Sequence, residues 1–138
     1  MSEYCDIKTE FKSEAALIAA LAETLHVDPS KIEVHRDAQP LTAWYARDNG
    51  KRSANVIYRG YRHTPGQTTV ADVGFIKNAN GTYTAVLDET EWDARRVGKL
   101  KGNYAYHAIR LQQAARGRTV NRVQLANGRQ IVTVGGYR

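Results

Sequence analysis

The first dozen residues alternate between apolar and polar positions, and a helical period follows. Cys5, Ile7 and Phe11 lie on the same side of this alternation, which predicts a half-buried strand. Ser13 is a good N-cap for the next segment, in which leucines recur every four residues. The chain therefore opens with a strand and an amphipathic helix that we expect to end near His26.

The middle of the chain has the pattern of short strands separated by turn residues. Asn-Gly pairs tolerate positive φ and are typical of tight hairpins, and such pairs occur at residues 49–50 and 80–81. A first short strand is expected, followed by two pairs of antiparallel strands. Each Asn-Gly pair is expected to join the two strands of one pair. In chain order, the predicted strands are Lys31–His35, Leu41–Arg47, Ser53–Arg62, Val70–Lys77 and Thr82–Asp88.

A second helix and a final hairpin complete the predicted elements. Apolar residues recur every three or four positions from Val97 to Ala115, so a helix is expected to begin at Glu91 or Val97 and to end at Ala115. Gly117 suits its C-terminal cap. The last two strands are predicted at Thr119–Leu125 and Arg129–Val134.

These elements predict an α+β fold. Short turns require antiparallel neighbours, and two amphipathic helices need an apolar face to cover. We therefore expect a two-layer sandwich, with a mostly antiparallel sheet covered on one face by both helices. A length of 138 residues suits a single domain that spans residues 1–138.

Composition restricts the class of protein. No apolar run approaches the roughly 18 residues of a membrane-spanning helix, and no signal peptide is visible at the acidic, polar start. Cys5 is the only cysteine, which excludes an intramolecular disulfide. None of the four histidines has the spacing of a metal motif. We expect a cytoplasmic protein that has no contact with membranes and holds no metal or cofactor.

The charge is distributed unevenly along the chain. Residues 1–91 contain 10 lysines and arginines against 13 acidic residues, whereas residues 92–138 contain 10 against one, Asp93. Such a basic third predicts a surface that attracts a polyanion, although it also fits a solvated face. The candidate binding residues are Arg95, Arg96, Lys99, Arg110, Arg116, Arg118 and Arg122, with Tyr106 and His107 nearby.

Two further groups of residues have more than one interpretation. Tyr58 and Tyr61 lie among arginines, so they can stack nucleic-acid bases or simply fill a sheet. Asp88, Glu89 and Glu91 precede the second helix. They can perform acid–base chemistry or hold magnesium, but capping of the helix is the interpretation we favour.

The order of several short motifs resembles a known family. These motifs are Ile7-Lys8-Thr9, Asp72-Val73-Gly74-Phe75 and Tyr104-Ala105-Tyr106-His107. They are similar to those of small proteins of unknown function encoded in plastid and cyanobacterial genomes and in many tailed bacteriophages. The resemblance covers roughly residues 3–134, and its divergence suits a phage-encoded member. It implies a small cytosolic protein sometimes encoded near ring-forming ATPases, but no activity or cofactor.

The sequence leads to one main functional hypothesis and two alternatives. We expect a non-enzymatic, phage-type accessory protein whose basic C-terminal third binds a polyanion, in particular nucleic acid. The first alternative is a host-directed or anti-defence protein that binds a protein partner, such as a host protein, or a small nucleotide; the family resemblance adds a ring ATPase as a partner. The second is a small nucleotide-acting enzyme that uses Asp88, Glu89, Glu91 or His107. The sequence predicts no oligomeric state.

Overall fold

Seven strands and two α-helices are present in the part of the chain that the computed structural model describes, residues 2–60, 69–127 and 129–137. The chain divides into two compact units. Residues 1–12 and 28–93 form the first, here called the sheet unit, and residues 13–27 and 94–138 form the second, here called the helical unit. That the whole chain forms a single domain stays a prediction.

The sheet unit contains five antiparallel strands in the order β1-β5-β4-β3-β2. Apolar side chains of its inner strands are fully buried, including Val56, Ile57, Phe75 and Val86. The predicted α+β class is therefore confirmed, and the sheet is antiparallel throughout. The strands are β1 (Tyr4–Lys8), β2 (Ile32–Pro40), β3 (Ser53–Tyr58), β4 (Val73–Lys77) and β5 (Tyr83–Asp88).

The predicted strand Leu41–Arg47 is wrong. β2 instead continues to Pro40 and pairs with β3 across an irregularity, and the residues after it form a loop with one short 3₁₀ turn, Ala46–Asp48. The loop is closed locally, because the Asn49 side chain accepts a hydrogen bond from the backbone of Ala43. Leu41 and Ala43 are both buried, so their alternation reflects burial within a loop.

The helical unit begins as the sequence predicts. The Ser13 side chain accepts a hydrogen bond from the backbone N–H of Ala16 and caps α1 (Glu14–Leu25). His26 ends α1 in the left-handed conformation, with φ of 57°. The second helix, α2, spans Ala94–Ala114. No helix within the described ranges has the length and apolarity that crossing a bilayer requires.

The final hairpin forms a separate two-stranded sheet of β6 (Arg118–Gln124) and β7 (Gln130–Tyr137). Its two faces differ. Arg122 and Gln130 contact α2 through hydrogen bonds to Asn103 and Gly102. Because neighbouring residues point to opposite faces of a strand, the cross-strand pair Val123 and Ile131 points away from α2, where its members are 55% and 52% exposed.

Candidate functional site

Arg122, one of the predicted polyanion-binding residues, is held inside the helical unit. Its guanidinium lies 3.0 Å from the Glu23 carboxylate and donates a hydrogen bond to the Asn103 side chain at 3.3 Å. The same group lies 3.8 Å from the centre of the Tyr106 ring. Only 18% of the Arg122 side chain is exposed. This cation therefore connects α1, α2 and β6 and is not available to a ligand in this arrangement.

His107 belongs to the same network. Its Nε2 lies 2.7 Å from the Glu23 carboxylate, and its Nδ1 faces the Arg110 guanidinium at 3.1–3.2 Å. A guanidinium can only donate, so Nδ1 accepts and the ring proton lies on Nε2, which donates to Glu23. His107 is therefore neutral in this arrangement, with both ring nitrogens occupied.

The two ionisable groups of the network are shifted in the same direction. Burial lowers the pKa of His107 below its usual value, and the opposing effect of Glu23 does not restore it. Burial alone would raise the pKa of the Glu23 carboxyl, but hydrogen bonds from Arg122 and His107 lower it below its usual value. A charged Glu23 and a neutral His107 are thus the forms that the fold favours near neutral pH.

A separate cleft of about 740 Å³ lies between the first half of α2 and the β6–β7 turn. Among the residues that the structure describes, three basic ones line it: Arg95 and Lys99 from α2, and Arg129 from the residues just before β7. None of the described residues that line it is acidic. Arg95 and Lys99 are one helical turn apart, about 6 Å along the axis, so they project toward the same side of α2.

The three basic residues of the cleft are exposed. Within the described part of the chain, none of them makes an ion pair, in contrast to Arg122 and Arg59, which face carboxylates. Unpaired cations around one concavity leave a local excess of positive charge. Such a site attracts anions more strongly than the same charges spread over a convex surface.

Small residues of α2 form the floor of the cleft. Ala94, Gly98 and Gly102 follow one another at intervals of four residues, so they share one helix face. A Cβ atom at Gly98 would meet no other atom within 4 Å, whereas one at Gly102 would lie 3.6 Å from the Gln130 side chain. Gln130 in turn donates to the Gly102 carbonyl at 2.6 Å, which fixes β7 against α2 at the inner end of the cleft.

The structure brings together only some of the predicted polyanion-binding residues. Arg95 and Lys99 line the cleft, while Arg116 is exposed beyond the end of α2 and Arg96 and Arg118 are partly buried. The remaining members, Arg110, Arg122, Tyr106 and His107, form the internal network around Glu23. The residues predicted to form one basic surface are therefore divided between the cleft, the network around Glu23 and separate positions on and beyond α2.

The proposed stacking residues do not form a surface among the described residues. Tyr58 is 2% exposed because β3 is a central strand of the sheet, so its ring has no face open to a base. Tyr61 lies outside the described residues. For Tyr58 the structure favours the interpretation as a sheet-filling side chain.

The acidic residues before α2 hold backbone groups. Asp88 is buried and accepts hydrogen bonds from the backbone of Thr90 and Glu91, and its own carbonyl accepts one from Trp92. Glu91 accepts from two consecutive backbone N–H groups, at residues 70 and 71. Asp88 thus caps the turn before α2, which itself begins only at Ala94, while Glu89 is exposed.

Sequence reasoning missed Arg129 as a site residue. The Asn127-Gly128 pair predicts a tight turn from the sequence, and Arg129 directly follows it. What the sequence does not reveal is that this turn approaches the first half of α2, some 30 residues earlier. That proximity depends on the packing of Arg122 and Gln130 against α2, which is a tertiary contact.

Comparison with known proteins places the chain in a family. Neither the comparison with curated proteins nor the comparison with solved structures gives a match. The family described as "Protein of unknown function (DUF1257)" matches residues 30–133, which is more than half of the chain and includes α2 and most of the final hairpin. The expectation of a family of unknown function is thereby confirmed, and the chain belongs to the DUF1257 family.

Proposed function

We propose that this protein binds a polyanion, nucleic acid in particular, in the basic cleft of Arg95, Lys99 and Arg129. The observation that supports it most directly is that three exposed cations line one concavity and that none of the other described lining residues is acidic. Phosphate groups of a nucleic acid are recognised in this way, because each cation replaces a condensed counterion.

The size of the cleft also supports this proposal. Its volume of about 740 Å³ lies within the range of roughly 300–1,000 Å³ that is typical of ligand sites. Lys101 and Arg116 are also exposed, on and beyond the same helix, but they are not among the described residues that line the cleft.

The biological setting that we propose follows from the family resemblance of the sequence. A phage-encoded accessory protein would act in the host cytoplasm, where nucleic acid is the most abundant polyanion. No catalytic step is part of this proposal, because the carboxylates of Asp88 and Glu91 are engaged with backbone N–H groups.

A salt titration tests the proposal. The affinity of the protein for a fluorescent oligonucleotide, measured by anisotropy from about 50 mM salt upward, is expected to fall steeply as salt rises. Replacing Arg95, Lys99 and Arg129 together by alanine is expected to remove three phosphate contacts. Because each contact with a single strand contributes about 0.7 to the slope of log affinity against log salt, the magnitude of this slope should fall by about 2. Arg116→Ala, which removes one exposed charge outside the cleft, is the control.

Two outcomes would contradict the proposal. One is an absence of binding at about 50 mM salt, where non-specific electrostatic binding is strong. The other is a triple variant that binds as tightly as the wild type. An acidic protein segment would also be attracted to the cleft. A pull-down from nuclease-treated host lysate that recovers a stoichiometric acidic protein would therefore favour this second candidate over nucleic acid.

A further inference from the structure

The cleft offers more than positive charge, and this bears on the kind of nucleic acid that fits. Its wall on the hairpin side contains Gln124, Leu125 and Asn127. Leu125 is 40% exposed, and no hydrogen bond of the Gln124 side chain is found in the described part of the chain. A site that only neutralised phosphates would need neither an apolar side chain nor free amide groups.

These groups are of the types that contact an unpaired nucleobase. A side-chain amide both donates and accepts, so it can pair with the edge of a base. An apolar side chain offers a surface for the face of a base that has left its stack. In Asn127 the carbonyl oxygen already accepts from the backbone of Arg129, but its amide N–H groups remain to donate.

The positions of the groups match the two parts of a nucleotide. Basic residues of α2 line one wall, Arg129 lines the cleft beside β7, and Gln124 and Leu125 line it at the end of β6. In a duplex, the faces of the bases are covered by their stacked neighbours and only their edges reach the grooves. A concave site with an apolar wall therefore suits a strand whose bases are unpaired.

We infer that the cleft binds single-stranded nucleic acid, with phosphates on Arg95, Lys99 and Arg129 and an unpaired base against Leu125 and Gln124. This inference rests on the proposed function and specifies its ligand. RNA and DNA strands share the chemistry that the cleft would recognise, since no group in the argument distinguishes a 2′-hydroxyl.

The experiment compares three probes at about 50 mM salt: a single strand of about 12 nucleotides, the duplex of the same sequence, and heparin, a polyanion without bases. The single strand is expected to bind about tenfold more tightly than the duplex, although the duplex carries more phosphates. The double variant Gln124→Ala with Leu125→Ala is expected to lose about tenfold in affinity for the single strand, as for a lost base contact. Its affinity for heparin is expected to change by less than about twofold.

The outcomes separate this inference from the proposed function. Equal affinity for strand and duplex, or an equal loss of strand and heparin binding in the double variant, would overturn the inference and leave polyanion binding intact. Failure to bind all three probes would instead refute the proposed function. Circular dichroism of the double variant checks that β6 and β7 still form.

Discussion

The guanidinium carbon of Arg122 lies 3.8 Å from the centre of the Tyr106 ring. At this distance a cation is attracted by the face of the ring, and the same guanidinium also pairs with Glu23. Both side chains belong to the basic C-terminal third, yet here they stabilise the contact of α1, α2 and β6. Positive charge in this region therefore has two separate roles, one in folding and one in the proposed binding.

Arg122→Ala is expected to reduce stability while leaving binding unchanged. The variant loses an ion pair, a hydrogen bond to Asn103 and the contact with Tyr106, which together correspond to about 2 kcal/mol. Urea denaturation measures this loss, and anisotropy with the single strand at a temperature where the variant stays folded is expected to show less than about twofold change. A loss of binding as large as that of the cleft variants would show that Arg122 also contacts the ligand.

The network around His107 predicts a stability that declines in mild acid. The pKa of His107 is lowered in the fold from its usual value of 6.5, so the unfolded chain binds this proton at a higher pH than the folded one. The contribution of the neutral ring is present above about pH 6.5 and is lost as the pH falls through the lower, folded value. Protonation would also place a proton on Nδ1, which the facing Arg110 cannot accept.

His107→Gln is the variant that tests this pH dependence. Its amide can still donate to Glu23 but does not titrate, so melting temperature between about pH 5 and pH 7 is expected to change less than in the wild type. Glu23 remains in both proteins, and because its pKa is lowered, its own contribution is lost only at a more acidic pH. An unchanged slope between pH 5 and pH 7 in the variant would contradict the assigned role of His107.

His26→Gly is expected to stabilise the protein. His26 ends α1 with φ of 57°, a conformation that costs a side chain with a Cβ roughly 1–2 kcal/mol. Glycine adopts it without that cost but gains entropy in the unfolded chain, so the net gain is expected to be about 0.5–1 kcal/mol by urea denaturation. His26→Ala keeps the Cβ and serves as the control. A glycine variant no more stable than the alanine variant would contradict this account of the cap.

Gly98 offers a pair of substitutions that separates folding from binding. Its Cβ position is empty within 4 Å and faces the cleft, so Gly98→Ala is expected to stabilise α2 by about 0.5–1 kcal/mol with little change in binding. Gly98→Glu also improves helix propensity but places a carboxylate beside Arg95 and Lys99. We expect it to fold at least as stably as the wild type and to lose about tenfold or more in affinity for the single strand. Unimpaired binding of the glutamate variant would place the ligand elsewhere.

Much of the fold follows from local sequence signals. The N-cap at Ser13 and the Asn-Gly turn between β4 and β5 appear where the sequence predicts them, since capping and turn chemistry act between residues close in the chain. The segment Leu41–Arg47 alternates like a strand because Leu41 and Ala43 are buried. Here the buried residues lie in a loop closed by Asn49. Periodicity alone does not distinguish a buried loop of this kind from a strand.

The candidate site was less accessible to sequence reasoning. Composition locates the basic third of the chain, but it does not reveal which of its basic side chains form ion pairs with carboxylates. Arg122 faces Glu23, a partner 99 residues earlier, whereas Arg129 lines the cleft because the β6–β7 turn approaches α2. Both facts depend on tertiary contacts between α1, α2 and the final hairpin, which no local pattern contains.

The most direct test of the cleft compares two lysines on one helix. Lys99 lines the cleft, whereas Lys101 is also exposed on α2 but is not among the described lining residues. Anisotropy with the single strand at about 50 mM salt is expected to show a loss of about fivefold, ~1 kcal/mol, for Lys99→Ala and less than about twofold for Lys101→Ala. Equal losses would show that the strand responds only to total charge and would contradict binding in the cleft.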